Sequence, residues 1–184
     1  MKKSRIFTLI LIFILAFIFT GCSKEKKETL TLVTEAGFAP YEYYSNGEIV
    51  GVDIDIARKI ADSLNMELVI KDVAFDSIIS EVKTNKSDLG AAGISYTEER
   101  AKEVDFTINY ASSKQVIIVK KGSSITGKDN LKGRVAVQLG TVADSYLTEN
   151  YTDIELVREK KFLAAIQDLK DNKVDAVVMD ELPA

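Results

Sequence analysis

Arg100 closes the run Gly93-Ile94-Ser95-Tyr96-Thr97-Glu98-Glu99-Arg100. Residues 88–100 read as a buried strand that runs into a loop and then turns into a helix. Thr97 fits an N-cap, with Glu98 and Glu99 in the first turn, where the helix dipole favours acids. Arg100 breaks that acid preference. Its planar fork suits a carboxylate, which it can clamp with two parallel hydrogen bonds. Gly93 lets a backbone approach a guest molecule, and Ser95 offers a hydroxyl and an N–H at the mouth of the turn. A solvated arginine pairing with a helix neighbour would fit the same letters.

Other polar residues at strand ends extend the candidate set. Glu35, Gln138, Thr141 and Asp180 each follow or close a predicted strand, as Gly93 and Ser95 do. In open α/β sheets, ligands bind at the carboxyl ends of the strands. Phe75 also follows a strand and reads either as a ligand wall or as core; Asp180 reads either as an anion for a ligand or as a helix N-cap. The 184 residues contain no His and one Cys, Cys22. That excludes Ser-His-Asp and Cys-His catalysis and any internal disulfide, and no metal site or cofactor is expected. The net charge is −4 without a long basic patch, so nucleic acid is not an expected partner.

The elements that must position these residues alternate. Strand patterns at 30–34, 67–73 and 89–92 flank a helix from 53 to near Asn65 and an amphipathic stretch at 75–82. Residues 35–47 read as a loop ending in the turn signal Asn46-Gly47. A β run at 115–119 precedes a second series: strands at 134–137, 154–157 and 176–179, with helices at 142–150 and 162–169. Each series is β-α-β-α-β, the pattern of a parallel sheet with helices on its faces. Two such sheets, joined near 111–115, predict two lobes with a hinge and a cleft between them.

The N-terminus is an address. Residues 1–5 are basic, and 6–19 are apolar apart from Thr8, about 14 residues where a membrane span needs roughly 20. Phe19-Thr20-Gly21-Cys22 resembles a bacterial lipobox, whose Cys becomes lipidated and begins the mature chain. The division expected is a lipoprotein signal peptide at 1–21, a charged tether at 22–28, a first lobe at 29–112 and a second at 113–184. Lys2, Lys3 and Arg5 are the only charges in the first 21 residues, so the remainder carries 21 basic and 28 acidic side chains, a net −7.

Six motifs recur in a fixed order: Phe38-Ala39-Pro40-Tyr41, Gly51-Val52-Asp53-Ile54-Asp55, Ala74-Phe75, the run from Gly93 to Arg100, Gln138-Leu139-Gly140-Thr141, and Asp175-Ala176-Val177-Val178-Met179-Asp180. With them the chain resembles the polar amino acid-binding proteins of bacterial ABC importers, the extracellular solute-binding family 3, over about residues 29–184. The resemblance implies a periplasmic binding protein-like α/β fold of two lobes. It implies that Arg100 holds the ligand α-carboxylate with the backbone N–H groups of Ser95 and Val142. Asp180 would take the α-ammonium, helped by the Gly93 carbonyl and the Ser95 hydroxyl, and Phe38 and Phe75 would sandwich the ligand. Glu35 stands where Asp is common, near the ligand side chain, and with Phe38 and Phe75 could favour a cation. Gln138 stands where glutamine-binding relatives carry Lys.

The expected function is capture of a polar or cationic amino acid by a lipid-anchored monomer outside the cytoplasm, for delivery to a permease and its ATPase. Two other readings share the fold: a dehydratase on prephenate-like substrates, with Glu35 the one nameable general acid, and a receptor's sensory domain. Family members continue several tens of residues past the Asp180 position, so the second lobe is expected to be incomplete and the first sheet to expose apolar area.

Overall fold

The computed structural model describes residues 27–184. The signal segment and Cys22 lie outside the described residues. The elements are β1 (Thr29–Thr34), β2 (Tyr43–Ser45), β3 (Glu48–Val50), α1 (Val52–Ser63), β4 (Glu67–Asp72), α2 (Ile78–Lys83), β5 (Leu89–Gly90), α3 (Glu98–Ala101), β6 (Gln115–Ile118), β7 (Gly133–Gln138), α4 (Val142–Asn150), β8 (Ile154–Glu159), α5 (Phe162–Lys170) and β9 (Ala176–Asp180). Phe75–Ser77 and Lys128–Asn130 are single 3-10 turns.

The strands form two larger sheets and one hairpin. The first sheet runs β4-β1-β5, all parallel; the second runs β6-β9-β7-β8, parallel apart from β6, which lies antiparallel to β9. In each series the first strand ends up in the middle, with the second strand on one side and the third on the other. Alternation along the central strands explains why helices cover both faces. In β1, Leu32 packs against Ile54 and Ala57 of α1, while its neighbour Val33 packs against Ile78 of α2. In β7, Val135 and Val137 face Ala143 and Leu147 of α4, while Ala136 faces Phe162, Ala165 and Leu169 of α5. Leu32, Val33, Val135, Ala136 and Val137 are all fully buried. Full burial of an aliphatic side chain contributes about 1.5–3 kcal/mol, so these two strands are the spines of the lobes.

Two local differences from the sequence reading have clear causes. Residues 43–50 form a hairpin whose first strand and turn lie within the loop expected at 35–47. Asn46 and Gly47 both have positive φ, 52° and 86°, the backbone that joins two antiparallel strands through a two-residue turn. The strand expected at 89–92 keeps its ladder only over Leu89–Gly90. Ala91 still donates to the Val33 carbonyl, but Gly93 then turns with φ 55° and donates its N–H to Asp53 Oδ2 at 2.9 Å.

Candidate ligand-binding site

The carboxyl ends of β1 and β7, the two central strands, meet each other. Glu35 follows β1 and Gln138 ends β7, and Gln138 Nε2 donates to Glu35 Oε2 at 3.2 Å and to the Lys160 carbonyl at 2.9 Å. Both side chains are about 1% exposed. Glu35 Oε1 lies 3.2 Å from the Lys161 ammonium, which also reaches Asp72 Oδ2, at 3.4 Å. Burial lowers the Lys161 pKa, but the carboxylates of Glu35 and Asp72 outweigh it and leave the ammonium held more tightly than usual. Asp72 is itself fixed by the Ala36 N–H at 2.9 Å and the Tyr44 hydroxyl at 3.2 Å.

Arg100 lies where its helix start predicts. The Arg100 N–H donates to Thr97 Oγ1 at 3.1 Å, so Thr97 is the N-cap. The guanidinium donates through Nη1 to the Ser95 carbonyl at 2.7 Å and through Nη2 to the Gly140 carbonyl at 2.9 Å, one partner from each lobe. It stacks over the Phe75 ring, 5.6 Å from the centroid, a cation–π distance. Burial lowers its pKa somewhat, with Glu99 opposing. The arginine is not a solvated surface charge.

The Gly140 turn is held firmly. Its φ of 78° belongs to the left-handed region. Asp144 Oδ2 accepts from the Gly140 N–H at 3.0 Å, and Asp144 Oδ1 accepts from Arg158 Nε at 2.8 Å. Thr141 caps α4 by accepting from the Asp144 N–H at 3.3 Å. Val142 is the first residue of α4, so its N–H belongs to the unpaired donors of a helix start, where anions bind.

Phe38 is buried and stacks on Tyr41, with centroids 5.8 Å apart, and on Phe162 of the second lobe, 5.4 Å apart. Gly93 sits against it: a Cβ on Gly93 would come within 2.9 Å of Phe38 Cε1. Asp180, the last residue of β9, is half-buried nearby. A cavity of about 20 Å³ is lined by Glu35, Phe38, Phe75, Gly93, Ser95, Arg100, Gln138, Thr141, Val142 and Asp180, with Glu42, Ala92 and Phe162. It thus gathers all ten of the ligand-contact residues expected from the sequence. A larger groove of about 510 Å³ also reaches Asp180 but lacks Arg100, Gln138 and Thr141. Its walls are mixed, with Ile78, Val82, Leu89 and Phe106 beside Asp88, Asp105, Asn109 and Ser112. The smaller cavity is therefore the candidate site, because the convergent polar groups lie there.

Sequence reasoning missed Glu42, Asp72, Lys161 and Phe162. Asp72 ends β4, and Lys161 and Phe162 follow β8, so the strand-end rule applied to every strand would have found them. Glu42 carried no such signal. It is fully buried beside Asp53 and, as a neutral carboxyl, donates a hydrogen bond to it. Burial, then the Asp53 charge, pushes the Glu42 carboxyl up to about 11. Tyr41 is raised as well, by burial first and then by Asp180, Asp53 and Glu42.

The sequence model of bacterial extracellular solute-binding proteins, family 3, matches residues 30–151, and the chain belongs to that family. The arginine-binding extracellular protein ArtP of Bacillus subtilis (strain 168) is 30% identical over 179 residues, covering 92% of this chain and 70% of that protein. ABC transporter arginine-binding protein 1 of Escherichia coli (strain K12) is 33% identical over 174 residues, covering 94% of this chain and 70% of that protein. Among solved structures, the arginine-bound form of truncated ArgBP from T. maritima superposes with a TM-score of 0.81 at 40% identity, over 84% of this chain and 74% of that one. The fold is the two-lobed α/β fold of these amino acid-binding proteins, and the relatives named here are binding proteins rather than enzymes.

Proposed function

We propose that this chain captures a free polar or cationic amino acid outside the cytoplasm, closes two lobes around it, and delivers it to an ABC-type permease and its ATPase. The observation that carries this reading is the single cavity that joins Arg100, on the first lobe, to Asp180, on the second. A zwitterion needs a cation at one end and an anion at the other. Arg100 takes the α-carboxylate, with the Ser95 and Val142 N–H groups beside it. Asp180 takes the α-ammonium, with the Gly93 carbonyl and the Ser95 hydroxyl. Phe38 and Phe75 wall the ligand, and Glu35, Gln138 and Thr141 face its side chain. The connection near Ala111 serves as the hinge. The protein works as a monomer, without metal or cofactor, anchored by lipid on Cys22; an unmodified Cys22 in the mass spectrum of the mature, membrane-attached chain would remove the anchor from this picture.

The deciding experiment is a thermal-shift screen of the common free amino acids on the full chain, since a ligand that binds only the folded state raises the melting temperature. At least one polar or cationic amino acid should raise it, and Asp180→Asn should abolish the shift by leaving a buried ammonium unpaired. If no amino acid raises it and a prephenate-like acid is consumed instead, the protein is an enzyme.

A further inference from the structure

The side-chain end of the cleft already contains a cation. Glu35 is about 1% exposed; its Oε2 accepts from the neutral Gln138 amide at 3.2 Å, while Oε1 has no hydrogen-bond donor among the described residues and faces the Lys161 ammonium as an ion pair, also at 3.2 Å. The Lys161 side chain is 43% exposed, so it reaches in from the rim. Its backbone is placed by the next residue, Phe162, which stacks on Phe38. Asp72, 3.4 Å from the same ammonium, has its own donors in the Ala36 N–H and the Tyr44 hydroxyl. Lys161 hydrogen-bonds Asp72, whose side chain is 23% exposed and shares its charge with solvent; Glu35, far less exposed, is the buried acid that depends on Lys161 for a countercharge. A buried carboxylate without a cation would attract a cationic ligand side chain strongly; the same carboxylate already paired does so far less. A ligand guanidinium or ammonium arriving here must displace Lys161 from Oε1 or lie beside it as a like charge.

We infer that Lys161 is a specificity-determining residue that biases the cleft against cationic side chains and toward neutral polar ones of the same shape. This inference rests on the amino acid-binding reading above. It says that charge selectivity is set by a residue on the rim of the second lobe, and not by Glu35 alone.

The test uses pairs of similar shape and different charge: arginine against citrulline, and lysine against glutamine. Their dissociation constants are measured by calorimetry on the full chain in mild detergent, for the unaltered protein and for Lys161→Met, Lys161→Gln and Lys161→Arg. Loss of the lysine charge should move the cation-to-neutral affinity ratio toward the cation by about tenfold or more in both Met and Gln variants. Lys161→Arg keeps the charge and should leave the ratio close to that of the unaltered chain. If Lys161 only ties the lobes together, both members of a pair weaken equally and the ratio stays fixed; that result overturns the inference and leaves the binding reading intact. Failure of the unaltered chain to bind these four or any other free amino acid overturns both. Lys161 lies on the rim, so its variants should fold, and a melting curve of each one checks this.

Discussion

Arg100 grips one backbone carbonyl in each lobe, so carboxylate capture is an exchange of partners and not a new contact. The exchange favours the ligand because a carboxylate accepts charge-assisted bonds, about 1.5–3 kcal/mol each. Arg100→Ala should therefore weaken amino acid binding by about 100-fold or more. Arg100→Lys should restore little of it, since an ammonium cannot make the planar fork. Calorimetry decides, and near-normal affinity in Arg100→Ala would place the carboxylate elsewhere. Glu42 makes a different prediction. Its folded pKa of about 11 lies above the ordinary 4.5, so its contribution to stability is complete below about pH 4.5 and is lost as pH rises toward 11. Glu42→Gln remains neutral throughout. Its stability relative to the unaltered chain should rise between pH 5 and pH 8, by about 4 kcal/mol, read from melting or urea curves at both pH values. Equal differences at both pH values would mean that Glu42 is ionised in the folded protein.

At the scale of elements, three helices end alike. Asn65, Asn85 and Asn172 have φ of 55°, 55° and 60° beyond α1, α2 and α5. In each case the next N–H reaches back five residues: Met66 to Ala61, Lys86 to Glu81, and Lys173 to Asp168. This is the Schellman closure, with Asn in the place where Gly is commonest. Asn65→Ala should cost about 1 kcal/mol, because a Cβ without a local hydrogen-bonding group disfavours this backbone. Asn65→Gly should cost almost nothing. Urea unfolding measures both, and equal losses would show that the Asn side chain matters and not the backbone. The sequence made the end of α1 readable through Asn65, and both β-α-β-α-β series through their hydrophobic periods. The hairpin of Tyr43–Ser45 and Glu48–Val50 was not readable, since three-residue strands are too short to show a period. The strand-end rule made Glu35, Gln138 and Asp180 legible, and the helix start did so for Arg100. The strand-end rule also reached Phe75, while the roles proposed for Phe38 and Val142 come from family resemblance. The link from Lys161 to Glu35 spans 126 positions, and no local pattern encodes it.

For the whole molecule, contacts between the lobes among the described residues include Arg100 with Gly140, Glu35 with Gln138 and Lys161, Asp72 with Lys161, and Phe38 and Tyr41 with the second-lobe core around Phe162. A cavity of about 20 Å³ has room for about one water and none for an amino acid, so entry requires these contacts to part. A ligand shifts the balance toward closure only by its greater affinity for the closed form. Small-angle scattering should show the radius of gyration falling when a binding amino acid is added, and no change with Arg100→Ala. A ligand that binds without altering the scattering curve would mean that the cleft does not move.

The two larger sheets draw on separate halves of the chain, β1, β4 and β5 in one and β6 to β9 in the other. Each half can thus assemble its own sheet before the halves dock, and the cleft, which needs both, matures last. A ligand then finds nothing to hold in the transition state for folding. It should leave the refolding rate nearly unchanged and slow unfolding by almost the whole of its binding free energy. Stopped-flow chevrons with and without the amino acid would show this as a displaced unfolding arm beside an unmoved folding arm. In a protein that works outside the cytoplasm, a bound nutrient would therefore lengthen the life of its carrier against proteases when they act faster than the opened chain recloses.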